Sequence, residues 1–252
     1  MREERFIRDD RTRPAMSVSP PGDPAESSRV RIDMHTHSEY SPDSRTPLAE
    51  QVRAIRSARL DVVCATDHNT IEGALRLREL ADGFRVIVGE EISSRDGEII
   101  GLFLEHPVPR DLSGEETVAR IRDQGGLVTV PHPFSVNRRY HLRRPVLDRL
   151  RDRIDAIEVF NAREAFGHEN RSAAAYAREH AILGAAGSDA HRAAEIGNAF
   201  VELPDFAGRD DFLSALAQGV VHGRLSGTAV HFFTRYDRFR KWLGRKSSTA
   251  SR

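Results

Sequence analysis

The sequence predicts an α/β protein on a mainly parallel sheet, either open or closed into a barrel. Three observations carry this. From Val30 onward, short apolar or alternating runs are followed repeatedly by amphipathic helical runs, the rhythm of strand–helix units. The 252 residues suit one large core, and a single α/β barrel often has about this length. Residues of metal-ligand type recur where the strand runs end. In α/β barrels the C-terminal rim of the strands is where active sites are built.

Taken in order, strands are expected at 30–36, 61–66, 85–91, 98–104, 127–131, 156–161 and 182–187. Helices are expected at 47–58, 70–81, 114–124, 145–152, 169–179 and 210–218. Thr46 before Pro47 reads as an N-cap with proline at the first helical position. Ser113 with Glu116 three residues on reads as a capping box. The segment 85–104, with Arg95-Asp96-Gly97 at its turn, reads as a local hairpin that interrupts a perfect barrel. No internal repeat is present. Residues 1–28, charged and then rich in Pro, Ser and Gly, read as a disordered leader that buries little. The globular barrel is expected over 29–225. Residues 226–252 read as a basic C-terminal helix or tail in which Phe232, Phe233, Tyr236, Phe239 and Trp242 mix with Arg and Lys.

Composition narrows the function classes. Hydrophobic content of 39% and charged content of 30% fit a soluble globular protein. The formal net charge is zero, so no general nucleic-acid footprint is visible. Cys64 is the single cysteine. It rules out an internal disulfide framework and suits a reducing cytoplasm. The N-terminus lacks an apolar signal region, and no run approaches the roughly 18 apolar residues of a membrane span.

The strand ends carry the chemistry. The first strand, in "IDMHTHSEYSPD", supplies His35 and His37 and then Asp43. The second, "VVCATDHN", supplies Asp67 and His68. The third, "VIVGEEIS", supplies Glu90 and Glu91. The fifth, "LVTVPHPF", supplies His132. The sixth, "AIEVFNAR", supplies Glu158 and Asn161, and the seventh, "LGAAGSDAH", supplies Asp189 and His191. Period-2 geometry points Asp33, His35 and His37 to one side of the first strand. Each motif alone has an ordinary reading, as a turn, a rim pair or a cap. Six strand ends carrying such groups make a poor core, because they are costly to bury unpaired. Imidazoles and carboxylates together suit divalent metals.

The ordered set "DMHTHSEYSPD", "TDHN", "GEEIS", "PHP", "EVFN" and "GSDAH" resembles the PHP (polymerase and histidinol phosphatase) family over roughly residues 30–225. The resemblance implies a distorted seven-stranded (β/α) TIM-like barrel, the PHP barrel. It also implies two to three divalent ions (Mn²⁺, Fe²⁺ or Zn²⁺, with Mg²⁺ an option) and phosphoester hydrolysis by a metal-bridged hydroxide. Carried over by position, His35, His37 and Asp189 resemble ligands of the first metal, and Glu91 the carboxylate shared with the second. Glu91 is preferred to Glu90 because family members read Gly-x-Glu-Ile-Ser. His132 and, in an unusual form, the amide of Asn161 fall at ligand positions of the second metal. Asp43, His68 and His191 resemble the ligands of the third. Asp33 and Asp67 are expected to assist by orienting neighbouring imidazoles.

The loop after "PHPF" holds Arg138, Arg139, Arg143 and Arg144. It is the candidate substrate-phosphate site, since guanidinium forks match phosphate oxygens; Arg143 is also a candidate catalytic residue. Only about 40 residues separate Glu91 from His132, which leaves no room for the helical lid of related mononucleotide-acting members. An open site suits a nucleotide, an oligonucleotide end or a small phosphorylated metabolite. The basic tail favours a polyanion. Alternatives are a TatD-like nuclease, another metallohydrolase, or a non-catalytic PHP module. A lysine-bridged amidohydrolase is excluded, because residues 1–240 contain no lysine.

Overall fold

The computed structural model describes residues 28–136, 138 and 140–227. The expected leader apart from Ser28, Arg139, and the tail beyond Gly227 lie outside the described residues. The elements run β1 (Arg29–Thr36), α1 (Leu48–Ser57), β2 (Val62–Ala65), α2 (Glu72–Leu80), β3 (Arg85–Ser94) and β4 (Gly97–Leu102). There follow α3 (Gly114–Asp123), β5 (Leu127–Val130), α4 (Arg144–Leu150), β6 (Ala156–Asn161) and α5 (Gly167–Glu179). The chain continues with β7 (Leu183–Gly187), β8 (Ala199–Pro204), α6 (Arg209–Leu216) and β9 (Val220–Gly223). One sheet carries the order β7-β6-β5-β4-β3-β2-β1-β8-β9 and curls into a nearly closed barrel.

Strands β1, β2 and β3 pair in parallel, as do β5, β6 and β7. The hairpin expected at 85–104 is present: β4 runs antiparallel to both β3 and β5. It joins the two parallel halves. Its reversed direction brings the start of β4 to the end where the parallel strands finish.

The outer edge of β1 has two partners. Over Arg29–Ile32 it pairs antiparallel with β8. Further on, Asp189 N donates to His35 O at 2.8 Å and His37 N donates to Ala190 O at 2.9 Å. The ring therefore closes at the end that carries the histidines. Closure there needs a small residue on β7, because a Cβ on Gly187 would lie 2.3 Å from the Cβ of His35.

Two apolar clusters hold these layers. Ile55, Leu77, Val88, Ile121, Leu147 and Ile157 represent the cluster between the strands and helices α1–α5. Ile32, Val62, Ile87 and Val201 belong to a second cluster, with Phe212 and Leu216 of α6. Phe212 is 1% exposed and meets Phe103 and Phe206 edge-on, at 5.4 and 5.0 Å between ring centroids.

Several local expectations are met and others change. Ser113 and Glu116 form the capping box of α3. Helix α1 instead starts after Pro47, with no side-chain cap, and the Thr46 hydroxyl donates to the backbone O of His191 at 3.0 Å. Strands β8 and β9 are additional to the expected elements. In β8, Ala199, Val201 and Leu203 alternate with partly exposed neighbours, a period-2 signal that was available. Strand β9 has no buried residue and is held by its ladder to β8, so its composition carries no amphipathic mark.

Candidate metal centre

Strand β1 delivers His35 and His37 to the closed end of the barrel, but not by simple alternation. Its register to β2 shifts between Asp33 and Thr36, as an extra residue in a strand causes. The two rings meet with their Nε2 atoms 3.0 Å apart. Asp33 does not face them. It accepts from the backbone N–H of Ser188 at 2.9 Å, Gly197 at 3.0 Å and His35 at 3.3 Å. The expectation that Asp33 orients an imidazole is thus corrected: it ties β1 to the segment after β7.

The carboxylate of Glu91 stands at the middle of the group. Its Oε2 lies 3.2 Å from both His35 Nε2 and His37 Nε2 and 3.3 Å from His68 Nδ1; its Oε1 lies 3.0 Å from His132 Nε2. Strand alternation turns Glu90 the other way, where it accepts from Val108 N at 2.7 Å. Asp189 Oδ1 lies 3.4 Å from His37 Nε2 and from His191 Nδ1. Asp43 spans the remaining pair, 3.5 Å from His68 Nε2 and 3.3 Å from His191 Nε2. Five imidazoles and three carboxylates predicted from separate motifs are therefore in one group. His132 and Asp189 adopt positive φ values of 30° and 51°, left-handed conformations that non-glycine residues keep only where their surroundings hold them.

The rings are fixed from behind. His35 Nδ1 faces Glu158 Oε1 at 3.2 Å, His37 Nδ1 faces Ser41 Oγ at 2.9 Å, and His191 Nδ1 faces the backbone O of Asp189 at 2.9 Å. Ser41 Oγ donates to Asp67 Oδ1 at 2.8 Å, so Asp67 reaches the His37 ring through a hydroxyl. Glu158, expected only as a strand-end carboxylate, thus holds the His35 ring. Ser41 was not singled out, and its place inside "HSEYSPD" carries no separate signal.

Asn161 lies in the centre, where its side chain is held by hydrogen bonds. Its Nδ2 donates to Glu158 Oε2 at 2.8 Å and Asp189 Oδ2 at 3.2 Å, while its Oδ1 accepts from Arg163 N at 2.8 Å. With its oxygen engaged by a backbone amide, the side chain orients two carboxylates. Among the loop arginines, Arg138 enters the centre and ion-pairs with Asp189 Oδ2. Arg143 and Arg144 do not reach it, which revises their expected role. Arg143 is held by Asp96, and Arg144 pairs with Asp148 at 2.8 Å and lies over the Tyr176 ring at 4.7 Å.

The charges are strongly coupled. Burial opposes a charge on His35, but Asp189, Glu91 and Glu158 outweigh it and hold its pKa well above the ordinary imidazole value. Burial likewise opposes a charge on His68, yet Asp43 and Glu91 raise it to about 10. Burial and the Arg163 charge push His191 down to about 3. Burial and Arg138 lower His132. Glu98 at the start of β4, absent from the sequence-based set, is pushed up to about 8 by burial and by Glu91.

These donors fit divalent ions. His35, His37 and Glu91 present atoms 3.0–3.2 Å apart, near the ligand–ligand edge of about 3.3 Å implied by metal–N/O bonds of about 2.0–2.2 Å. Asp189 Oδ1 is buried without a hydrogen bond and lies 3.8 Å from His35 Nε2 and 3.4 Å from His37 Nε2, a position that suits a cation. Groups of His35-His37-Asp189, His35-Glu91-His132 and His37-His68-His191 each lie close enough to share one ion.

Comparison with known proteins agrees with this architecture. The PHP domain profile matches residues 33–181, more than half of the chain, and a PHP-associated profile matches residues 167–221. The chain belongs to the PHP domain family. The uncharacterized protein MJ1587 of Methanocaldococcus jannaschii is 37% identical over 57% of this chain and 89% of its own length. MJ0417 of the same organism is 35% identical over 74% and 79%. Among solved structures, PsfC from Pseudomonas syringae superposes with a TM-score of 0.63 at 19% identity, over 84% of this chain and 98% of its own. A two-domain Bacteroides vulgatus protein containing a predicted PHP-like metal-dependent phosphoesterase gives the same TM-score and identity. That match covers 78% of this chain and 65% of the two-domain protein. These two likenesses establish a shared fold. No helix among the described residues is long and apolar enough to cross a membrane.

Proposed function

We propose that this protein is a metal-dependent phosphoesterase that hydrolyses phosphate mono- or diesters, namely a nucleotide, an oligonucleotide end or a small phosphorylated metabolite. The observation that carries the reading is the convergence of His35, His37, His68, His132 and His191 on Glu91, Asp189 and Asp43 at one end of the barrel. His35, His37, Glu91 and Asp189 would hold a first ion, Glu91 and His132 would contribute to a second, and Asp43, His68 and His191 would hold a third. Bound Mn²⁺, Fe²⁺ or Zn²⁺ would lower the pKa of water and neutralise phosphoryl charge.

The chain's own groups complete the site. Glu158 and the Asp67–Ser41 pair keep the His35 and His37 rings aimed inward. Arg138 keeps its proton, because Asp189 and Glu164 outweigh the effect of burial, and its partly exposed guanidinium supplies a fork for a phosphoryl oxygen. Tyr40, Tyr140 and Phe166 are exposed in the connections after β1, β5 and β6. Rings there suit stacking on a planar leaving group.

The test is elemental analysis of gently purified protein together with hydrolysis of an aryl phosphate monoester and diester in Mn²⁺. Two or three ions per chain with turnover supports the reading, and the preferred ester separates phosphatase from diesterase. No bound ion and no turnover in any divalent metal would sink it and favour a non-catalytic PHP module.

A further inference from the structure

The metal-dependent reading gives the second ion few firm ligands beyond Glu91 and His132, because Asn161 Oδ1 already accepts from Arg163 N at 2.8 Å and from Arg138 at 3.4 Å. One buried carboxylate in the centre has no assigned task. Glu98 pairs with Ser93 across the β3–β4 hairpin, so antiparallel β4 brings its first residues to the end reached by the parallel strands. Its Oε2 lies 3.7 Å from His132 Nε2 and its Oε1 3.8 Å from His68 Nδ1. Glu91 spans the same two rings, with Oε1 at 3.0 Å from His132 Nε2 and Oε2 at 3.3 Å from His68 Nδ1. His68, Glu91 and Glu98 each offer an atom within 4.8 Å of the others. The residue is only 8% exposed, and a buried carboxylate facing another carboxylate is costly without a cation. Arg138, the nearby guanidinium, is engaged by Asp189.

We propose that Glu98 is a direct metal ligand, completing with Glu91 and His132 the second ion site that Asn161 does not ligate. The distances bracket the ligand–ligand edge of about 3.3 Å that bonds of about 2.0–2.2 Å require. Glu98 thus acts from antiparallel β4, which enters the centre by its first residues where the parallel strands enter by their last. Asn161 acts by orienting Glu158 and Asp189.

This inference rests on the phosphoesterase reading, and its test keeps the two separable. Wild type, Glu98→Gln and Asn161→Ala are stripped with chelator and dialysed against Mn²⁺. Ions per chain are then counted by elemental analysis, and affinities are read by competition with a fluorescent chelator. Glu98→Gln is expected to bind one ion fewer than wild type, whereas Asn161→Ala keeps the wild-type number. Melting of the metal-free proteins provides the folding control. Glu98→Gln should melt no lower than wild type, because a neutral amide of the same shape replaces a buried carboxyl group that faces Glu91. Loss of the ion with an intact melt supports the assignment. If Glu98→Gln keeps every ion, even with affinity weakened by the roughly 10–100-fold of an outer partner, Glu98 is not a ligand. Loss of an ion from Asn161→Ala alone would likewise overturn it. A wild type that takes up no Mn²⁺ would overturn this inference and the functional reading together.

Discussion

The two ends of this barrel are built on opposite principles. At one end Phe212 and Leu216 of α6 pack with Ile32 and Val201 in an apolar cluster. At the other, His35, His37, Glu91, His132 and Asp189 are all about 1% exposed or less, where apolar side chains would give a more stable core. The first end gains stability from water exclusion. The second holds charges that are tolerable only because each is paired, and it keeps two ligand candidates in left-handed backbone conformations. The difference teaches where stability and function lie: substitutions at the apolar end should unfold the protein, and substitutions at the polar end should disarm it.

The comparison can be broken or sharpened by four measurements. The largest effect is expected from His35→Ala/His37→Ala. Removing both rings should lower phosphoester turnover by at least about 1,000-fold, since ions at such sites supply several kcal/mol and each 1.36 kcal/mol is tenfold. The metal-free variant should still unfold in one cooperative transition, but below the metal-free wild type, because Glu91, Asp189 and Glu158 lose the rings that pair them. Activity retained in this variant would mean that the reaction does not depend on this metal centre. Next, Phe212→Ala should cost about 3–5 kcal/mol in urea unfolding while leaving the number of bound Mn²⁺ ions unchanged. A loss of ions with no loss of stability would reverse the proposed division between the ends.

A smaller effect is expected from Ser41→Ala. It cuts the link from Asp67 to the His37 ring and touches no proposed ion. Mn²⁺ affinity should fall by roughly 10–100-fold, with the number of sites kept. An unchanged affinity would mean that the ring is oriented by packing alone. The smallest effect concerns Glu164, which accepts from Ser135 Oγ at 2.9 Å. Burial pushes its pKa up to about 8, opposed by Arg138. The folded state therefore holds this proton between the ordinary value near 4.5 and about 8. Its contribution favours folding at low pH and is lost as pH rises through that window. Glu164→Gln should remove that slope, on the order of 1 kcal/mol or more, from melts compared at pH 5 and pH 8.5. A slope unchanged in the variant would assign it to other groups.

Much of the architecture was legible because periodicity and burial coincide. Strands β1 to β7 and all six helices fall at or near their expected positions, and the hairpin was marked by its Asp-Gly turn. The same holds for His35, His37, Asp43, His68, Glu91, His132, Asp189 and His191, because parallel strands all finish at one end and the motifs sit at those finishes. Arg143 and Arg144 were misplaced for a physical reason. Sequence proximity puts four arginines in one loop, but local acidic partners, Asp96 and Asp148, take two of them away.

Three things depended on contacts between distant segments. The register shift in β1 separates Asp33 from the two histidines that follow it, and a strand's alternation cannot reveal an inserted residue. The antiparallel course of β4 brings Glu98 to the centre, although nothing in "DGEIIG" distinguishes it from a surface glutamate. The hydrogen bond from Arg163 N to Asn161 Oδ1 is made by the chain's turn after β6, which residue spacing does not show. Residue type and spacing thus define which chemistry this chain can perform, because they are local properties. Which atoms share an ion is set by strand direction, register and competing hydrogen bonds, and these exist only once the ring has closed.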